Sequence, residues 1–184
     1  MHPLDKFQYC PVCGSKAFTV HDFKSKQCEA CGFTYYANPC SATAAFIRNK
    51  RGELLVVRRG KEPAKDTLDL PGGFVDMQET VEEGMRREIQ EETGLTVSEV
   101  SYLFSIPNQY LYSDMLIHTI DMFYEVRVDN DVKPVADDDA AALGWMLLEK
   151  VNPKDFGLKS ISQGVERYLT ESLKNKKTPI YIRW

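Results

Sequence analysis

The chain has 184 residues, of which 43% are hydrophobic, and its 27 acidic and 23 basic residues give a formal net charge of -4. This composition suits one globular domain with room for a small appendage, and it excludes a chain that is disordered by composition. No apolar run approaches the roughly 20 residues of a membrane-spanning helix and the start lacks a secretory segment, so a cytoplasmic location is expected. The acidic balance argues against bulk binding of duplex nucleic acid.

Four of the five cysteines form two Cys-x-x-Cys-Gly pairs near the start of the chain. They are Cys10, Cys13, Cys28 and Cys31. Two such knuckles supply the four sulfurs of a closed tetrahedral zinc site, and two redox dithiols are the alternative. We predict a zinc ribbon over residues 1–36, with a structural metal, and a main domain over residues 37–184. The fifth cysteine, Cys40, is expected to be a small buried hydrophobe.

Strands and helices are predicted to mix along the main domain. The predicted strands are 41–47, 53–58, 97–106, 118–128 and 140–148. Residues 68–73 are expected to form a loop, because Pro-Gly-Gly fits neither a helix nor a sheet interior. The predicted helices are 80–92, closed by Gly94, and 160–174. This order favours an α+β sandwich over a repeated βαβ sheet.

The helix predicted at 80–92 carries carboxylates on its apolar side. At about 100° per residue, Glu88 and Glu92 share that side and Glu91 lies beside them. Because these groups repel one another and lose hydration, we expect a cation among them, and magnesium prefers oxygen ligands. Arg87 can pair with a nearby carboxylate. A solvated acidic helix is the alternative.

The segment from Gly73 to Leu95 resembles the Nudix box in full. Gly73 is followed after five residues by Glu79 and after seven more by Arg87-Glu88-Ile89-Gln90-Glu91-Glu92-Thr93-Gly94-Leu95. The resemblance implies an α/β/α sandwich with a mixed sheet, and hydrolysis of nucleoside diphosphates linked to another moiety. It also implies that Arg87 and Glu79 form an internal pair. The implied magnesium or manganese ligands are the carboxylates of Glu88, Glu91 and Glu92 and the carbonyl of Gly72.

The general base is less narrowly defined by the sequence. Nudix enzymes use either a box glutamate or an acid from a later loop, commonly a few residues before a tryptophan-bearing strand. Asp139, the last of three consecutive aspartates, lies six residues before Trp145 and resembles that placement. A solvated acidic loop is the alternative, Glu88 is the rival base, and Glu125 is a weaker candidate.

A ribbon followed by a Nudix box resembles the NADH pyrophosphatases. That subfamily carries Ser-Gln-Pro-Trp-Pro-Phe-Pro-x-Ser after the box, whereas residues 105–113 here keep the serines and first proline but lack the tryptophan and two prolines. Tyr110 and Tyr112 are candidates for stacking on a base or nicotinamide, with ordinary packing as the alternative. Arg58 and Arg59 are candidates for phosphate contact, with a solvated strand end as the alternative.

The sequence therefore predicts metal-dependent hydrolysis of an NADH-like or ADP-ribose-like compound that releases a mononucleotide. The alternatives are a nucleoside triphosphate or diadenosine polyphosphate hydrolase, and a non-catalytic nucleotide-sensing or RNA-binding module. The intact acidic cluster favours an enzyme. The resemblance implies a homodimer, and RNA 5′ ends stay open as a partner.

Overall fold

The computed structural model describes residues 2–97, 100–112, 114–128 and 140–177, and the contacts between residues divide the chain into two compact units. The first unit combines Met1–Cys40 with Gln109–Thr119, and the second combines Ser41–Asn108 with Ile120–Trp184. The unit that contains the predicted ribbon therefore also includes a later segment of the chain.

The first unit contains a small antiparallel sheet that we did not predict. Its strands are β1 (Phe18–Asp22), β2 (Ser25–Cys28) and β3 (Thr34–Tyr36), in the order β1-β2-β3. The pairing places Phe18 opposite Cys28. The apolar core consists of Cys10, Phe18 and Cys28, with Phe7 and Phe33 packed against it. Because this core is so small, the unit needs a further source of stability.

The larger sheet has six strands and is accompanied by two helices. The strands are β4 (Cys40–Asn49), β5 (Glu53–Arg59), β6 (Leu68–Asp69), β7 (Val100–Tyr112), β8 (Met115–Val128) and β9 (Ala140–Leu147), and the helices are α1 (Val81–Thr93) and α2 (Lys159–Lys177). The strand order is β6-β5-β4-β8-β7, and β9 pairs antiparallel with β5. Short 3-10 turns occupy Leu148–Lys150 and Pro153–Asp155.

The alternation of side chains along β4 places one helix on each face of the sheet. Ala45 and Ile47 belong to a cluster with Met85 and Ile89 of α1. Ala44 and Phe46 belong to a second cluster, which includes residues of α2. The ring of Phe46 stacks on that of Tyr168 at a centroid distance of 3.9 Å. The predicted α+β class, an α/β/α sandwich with a mixed sheet, is confirmed.

Three local predictions differ from the structure. Residues 68 and 69 form β6, because Leu68 and Asp69 pair with β5. The strand predicted at 97–106 begins at Val100 and continues to Tyr112. Cys40 is exposed and not buried, because it is the first residue of β4 and precedes the part of the strand that enters the core.

The described residues contain no helix that is both long and apolar enough to cross a membrane.

Candidate functional site

Helix α1 is fixed at both ends by local signals. Thr80 caps its start by accepting a hydrogen bond from the Glu83 N–H, and the Glu83 carboxylate accepts one from the Thr80 N–H, which completes a capping box. Gly94 ends the helix in the left-handed conformation, with φ of 69°. Met85 and Ile89 are fully buried and fix the rotation of the helix on the sheet. The positions of its acidic side chains follow from these constraints.

The Pro-Gly-Gly segment before α1 lies along β4 as a hydrogen-bonded extension of the sheet. The Ala45 N–H donates to the Pro71 carbonyl and the Thr43 N–H to the Gly73 carbonyl, both at 2.8 Å. A Cβ on Gly72 would lie 2.2 Å from the Thr43 carbonyl oxygen. A Cβ on Gly73 would lie 2.5 Å from the Glu88 carboxylate. Gly72 is therefore required by its close approach to backbone, whereas a side chain on Gly73 would displace the Glu88 carboxylate.

Arg87 connects the carboxylates of the box. Its Nε and Nη2 donate to the two oxygens of Glu79 at 2.7 and 3.0 Å. Its Nη1 donates to Glu88 at 2.9 Å and to Glu91 at 3.0 Å. Its Nη2 also donates to the Phe74 carbonyl at 3.0 Å, which joins the helix to the preceding loop. The predicted Glu79–Arg87 pair is confirmed.

These contacts shift the titration of the groups in opposite directions. Hydrogen bonds from Arg87 lower the pKa of Glu79. Hydrogen bonds to Glu79 raise the pKa of Arg87, although partial burial opposes this. Burial raises the pKa of Glu88, Arg87 opposes the shift, and the charge of Glu91 adds to it. The surroundings of Glu88 therefore disfavour its charged form.

The box carboxylates have the donor chemistry that magnesium or manganese requires. Glu88 and Glu91 bind one guanidinium nitrogen and therefore already share a cationic partner. Glu92 accepts a hydrogen bond from the Gly72 N–H at 2.9 Å. This bond joins the third carboxylate to the Pro-Gly-Gly segment, residues 71–73, which we call the glycine loop. Hard divalent cations take carboxylate and carbonyl oxygens, so Glu88, Glu91, Glu92 and the Gly72 carbonyl match such an ion in the type of donor atom.

The four predicted zinc ligands lie together in the first unit. Their sulfurs are all within 4.8 Å of one another, and no other group of metal ligands in the described residues is this compact. The two knuckles repeat the same hydrogen bonds: the Cys10 N–H donates to Ser15 and the Gly14 N–H to Cys10, as the Cys28 N–H donates to Phe33 and the Gly32 N–H to Cys28. Four thiols in a tetrahedral group fit zinc.

The pKa values of two of the four thiols are shifted in opposite directions. Burial raises the pKa of Cys10, but hydrogen bonds from the Cys13 and Val12 N–H groups outweigh it and lower that pKa to about 7. The Phe33 N–H lowers the pKa of Cys31, but hydrogen bonding with Cys13 and burial outweigh it and raise that pKa to about 12. Several sulfurs cannot all be charged at neutral pH without a cation, which agrees with a metal-binding role.

The two candidate phosphate-binding arginines contact the excursion between β5 and β6, which comprises residues 60–67. Arg58 donates from Nη1 to the Asp66 carbonyl at 2.7 Å. Arg59 donates from Nε to the Pro63 carbonyl at 2.8 Å and from Nη1 to the Asp69 carboxylate. Arg58 also lines a groove of about 480 Å³ along β5 and β9, together with Trp145, and none of the box carboxylates lines this groove.

The remaining candidates belong to other elements of the chain or lie outside the described residues. Tyr110 and Tyr112 belong to the first unit, where their rings stack at a centroid distance of 6.4 Å. Glu125 pairs with Arg127 on β8. Asp139, like Asp137 and Asp138, lies outside the described residues.

Sequence reasoning missed two buried carboxylates, Asp69 and Asp121. Asp69 accepts hydrogen bonds from Arg59 and from the Leu70 N–H. Asp121 accepts hydrogen bonds from the Ser160 hydroxyl and the Asn108 amide. An acidic residue in the middle of an apolar strand, as at Asp121, could have indicated a buried carboxylate.

Comparison with known proteins assigns most of the chain to one sequence family. The family model described as NUDIX domain matches residues 38–164. The chain is 33% identical over 115 residues to the "NAD-capped RNA hydrolase NudC" of Deinococcus radiodurans, covering 61% of this chain and 41% of that protein. It is 30% identical over 116 residues to the protein of the same name from Haemophilus influenzae, covering 62% and 44%. The chain thus spans less than half the length of these relatives.

Solved structures show the same fold. The crystal structure of a NUDIX hydrolase from Nitrosomonas europaea aligns with a TM-score of 0.67 at 18% identity, covering 91% of this chain and 93% of that one. A MutT NUDIX hydrolase from Burkholderia pseudomallei aligns with a TM-score of 0.58 at 24% identity, covering 72% and 97%.

Proposed function

This chain belongs to the Nudix family, and on that premise we propose that it is a metal-dependent pyrophosphohydrolase. Its substrate in this proposal is a nucleoside diphosphate linked to another group, of the NADH or ADP-ribose type. The products are a mononucleotide and a second phosphorylated fragment. Nucleoside triphosphates and diadenosine polyphosphates are the competing substrates of the same site.

The observation that carries the proposal is the complete acidic set on α1. Glu88 and Glu91 converge on Arg87, and Glu92 contacts the glycine loop. One arginine serves both Glu88 and Glu91, so a protein that only bound nucleotide would gain little from keeping all three carboxylates. The set therefore favours catalysis over nucleotide sensing.

The names of these two relatives favour a dinucleotide substrate. The proteins from Deinococcus radiodurans and Haemophilus influenzae are NAD-capped RNA hydrolases by name. NADH-like compounds and NAD-type RNA 5′ ends share the diphosphate bridge that we propose is cleaved. Both therefore belong in the substrate test.

In the proposed reaction, water adds across one phosphoanhydride bridge. One P–O bond forms to the water oxygen and the bridging P–O bond breaks. Magnesium or manganese, held by Glu88, Glu91, Glu92 and the Gly72 carbonyl, supplies charge neutralisation and a lowered pKa of water when bound. Glu88 or Asp139 accepts the proton of the attacking water. Arg87 holds Glu88 and Glu91 in place and does not itself react.

The remaining assignments complete the proposal. In this proposal, Tyr110 and Tyr112 stack on the base or nicotinamide, and Arg58 and Arg59 bind phosphate. Residues 1–36 act as a ribbon with structural zinc and residues 37–184 as the catalytic domain. A homodimer is proposed from the family resemblance, and light scattering of the zinc-loaded protein tests it.

The deciding experiment is turnover of an equimolar mixture with magnesium, with products separated by chromatography. The mixture contains NADH, NAD, ADP-ribose, a deoxynucleoside triphosphate, a diadenosine polyphosphate and an RNA with an NAD-type 5′ end. Selective release of mononucleotide from the dinucleotides supports the proposal, and the Glu92→Gln variant is the inactive control. Preference for the triphosphate would replace the substrate, and binding without turnover would make the protein a sensor.

A second experiment tests the aromatic contact. Tyr110→Ala is expected to raise KM for NADH several-fold while leaving KM for a simple nucleoside diphosphate unchanged, because stacking contributes to binding the second base. Phe23→Ala is the matched control, since Phe23 is an exposed aromatic side chain of the same unit. An equal effect of Tyr110→Ala on both substrates would contradict the stacking role.

A further inference from the structure

A buried ion pair lies where the glycine loop begins. Asp69 is the last residue of β6 and is only 8% exposed. One carboxylate oxygen accepts the hydrogen bond from Arg59, and the other accepts the Leu70 N–H at 2.8 Å. Both oxygens therefore have partners that favour the charged form, although burial opposes it and raises the pKa of Asp69.

Arg59 ties this carboxylate to the excursion between β5 and β6. Its Nε donates to the Pro63 carbonyl, while its backbone N–H donates to Thr67 and its carbonyl accepts from Asp66. The excursion contains two non-glycine residues with positive φ, Ala64 at 63° and Asp66 at 66°. Such conformations cost about 1 kcal/mol or more each and persist only where the surroundings determine them.

The segment that follows Asp69 has little freedom of its own. Pro71 and Gly73 are hydrogen-bonded to β4, and the backbone of Gly72 packs against Thr43 too closely for a Cβ. The Gly72 N–H is held by Glu92 at the far end. Asp69 holds the near end through the Leu70 N–H, one peptide before Pro71. The orientation of the Gly72 carbonyl therefore depends on contacts at both ends of the segment.

We infer that Asp69 and Arg59 form a positioning pair that sets the glycine loop for binding of the divalent cation. This inference rests on the proposed function of Glu88, Glu91, Glu92 and the Gly72 carbonyl. It gives Arg59 a role within the protein in addition to the phosphate contact proposed above. Neither residue contacts the cation or the reacting atoms, so both act through the loop.

Manganese binding, measured by electron paramagnetic resonance of the zinc-loaded protein, tests the pair. Asp69→Asn is expected to weaken manganese binding about tenfold and to lower kcat with little change in KM, because the loop loses its near anchor. Glu53→Gln is the matched control, since Glu53 is a half-buried carboxylate at the opposite end of β5 from Arg59 and pairs with Asn49 and Arg51. It should bind manganese within about twofold of the parent.

The outcomes separate this inference from the proposed function. If Asp69→Asn keeps its fold and binds manganese as tightly as the parent, the positioning role is wrong. An equal loss of manganese binding in Asp69→Asn and Glu53→Gln also overturns it, because a general loss of stability would then account for both. If the parent and Glu92→Gln bind manganese equally, the proposed metal site fails instead.

A second variant applies if Asp69→Asn does not fold. Arg59→Lys keeps a positive charge beside Asp69 but cannot bridge Asp69 and the Pro63 carbonyl with a planar fork. It is expected to weaken manganese binding several-fold while retaining zinc. Parental manganese affinity in this variant would overturn the inference.

Discussion

The two proposed metal-binding regions of this chain differ in the contacts that hold their ligand side chains in place without a metal. In the first unit, four sulfurs converge next to a core of three buried residues, Cys10, Phe18 and Cys28, two of which are themselves ligands. In the second, the carboxylates lie on a helix packed against a large sheet, and Arg87 already pairs with two of them. We therefore expect the first region to need a metal in order to fold and the second to need a metal only for catalysis.

The largest effect expected from this difference is the loss of zinc. Structural zinc contributes roughly 10 kcal/mol or more of folding free energy in small four-ligand domains, and the ribbon has no comparable apolar core. Cys28→Ser should therefore abolish amide-exchange protection in β1, β2 and β3 while leaving α1 protected. Hydrogen exchange measured by mass spectrometry, with zinc content by atomic absorption, checks this. Retained protection in β1 to β3 without zinc would show that the ribbon folds without metal.

The next effect concerns the acidic site, where removing a ligand should spare the fold. Glu92→Gln is expected to lower kcat by about a hundredfold or more with magnesium, because a ligand charge is lost. The glutamine oxygen can still accept the Gly72 N–H, so the melting temperature should change by only a few degrees. Steady-state kinetics and calorimetry measure the two effects separately. Glu166→Gln, an exposed change on α2, is the control. Near-parental turnover of Glu92→Gln would remove the metal assignment.

Glycine substitutions sharpen the comparison on a smaller scale. Gly72→Ala is expected to destabilise the second unit by about 3 kcal/mol, because the new Cβ would overlap the Thr43 backbone. Gly14 in the first knuckle also has positive φ, at 71°, but a Cβ there meets no atom within 4 Å. Gly14→Ala should therefore cost only about 1 kcal/mol, from backbone conformation alone. Chemical denaturation of the zinc-loaded variants checks the order, and equal losses would contradict it.

The smallest expected effect comes from the capping box of α1. Hydrogen bonds from the Thr80 N–H and hydroxyl lower the pKa of Glu83 below its ordinary value of 4.5. The ionised carboxylate therefore stabilises the folded state at and above pH 4.5, and this contribution is lost as the pH falls through the lowered pKa. Glu83→Gln should melt slightly below the parent at pH 7, with the two curves converging at the acid end. A difference that grows on acidification would contradict this sign.

Local signals in the sequence were sufficient for the box helix. Thr80, Glu83 and Gly94 act on neighbouring backbone groups, so the helix predicted at 80–92 is observed as Val81–Thr93. The two Cys-x-x-Cys-Gly pairs likewise predicted a sulfur cluster that the structure confirms. The family resemblance, read from the same segment, is confirmed by the match over residues 38–164.

What the sequence did not predict depends on distant partners. The strand predicted at 97–106 continues to Tyr112 in the structure, because β7 pairs with the long strand β8 and lies at the edge of the sheet, where Pro107 is tolerated. The ribbon strands are short and polar, so their pattern is weak. The contact between Arg59 and Asp69 was not predicted, because it requires the pairing of β5 with β6.

The double capping of α1 also makes the site sensitive to chain length. The helix has 13 residues between its caps at Thr80 and Gly94. The direction of each carboxylate around the helix axis is therefore set by its distance in sequence from these caps. A single inserted residue before Glu88 would turn all later side chains by about 100°, away from Arg87 and the glycine loop. An insertion in the β1–β2 turn of the ribbon displaces no knuckle backbone bond. Insertion scanning across the chain should therefore find a sharp boundary in tolerance between these segments.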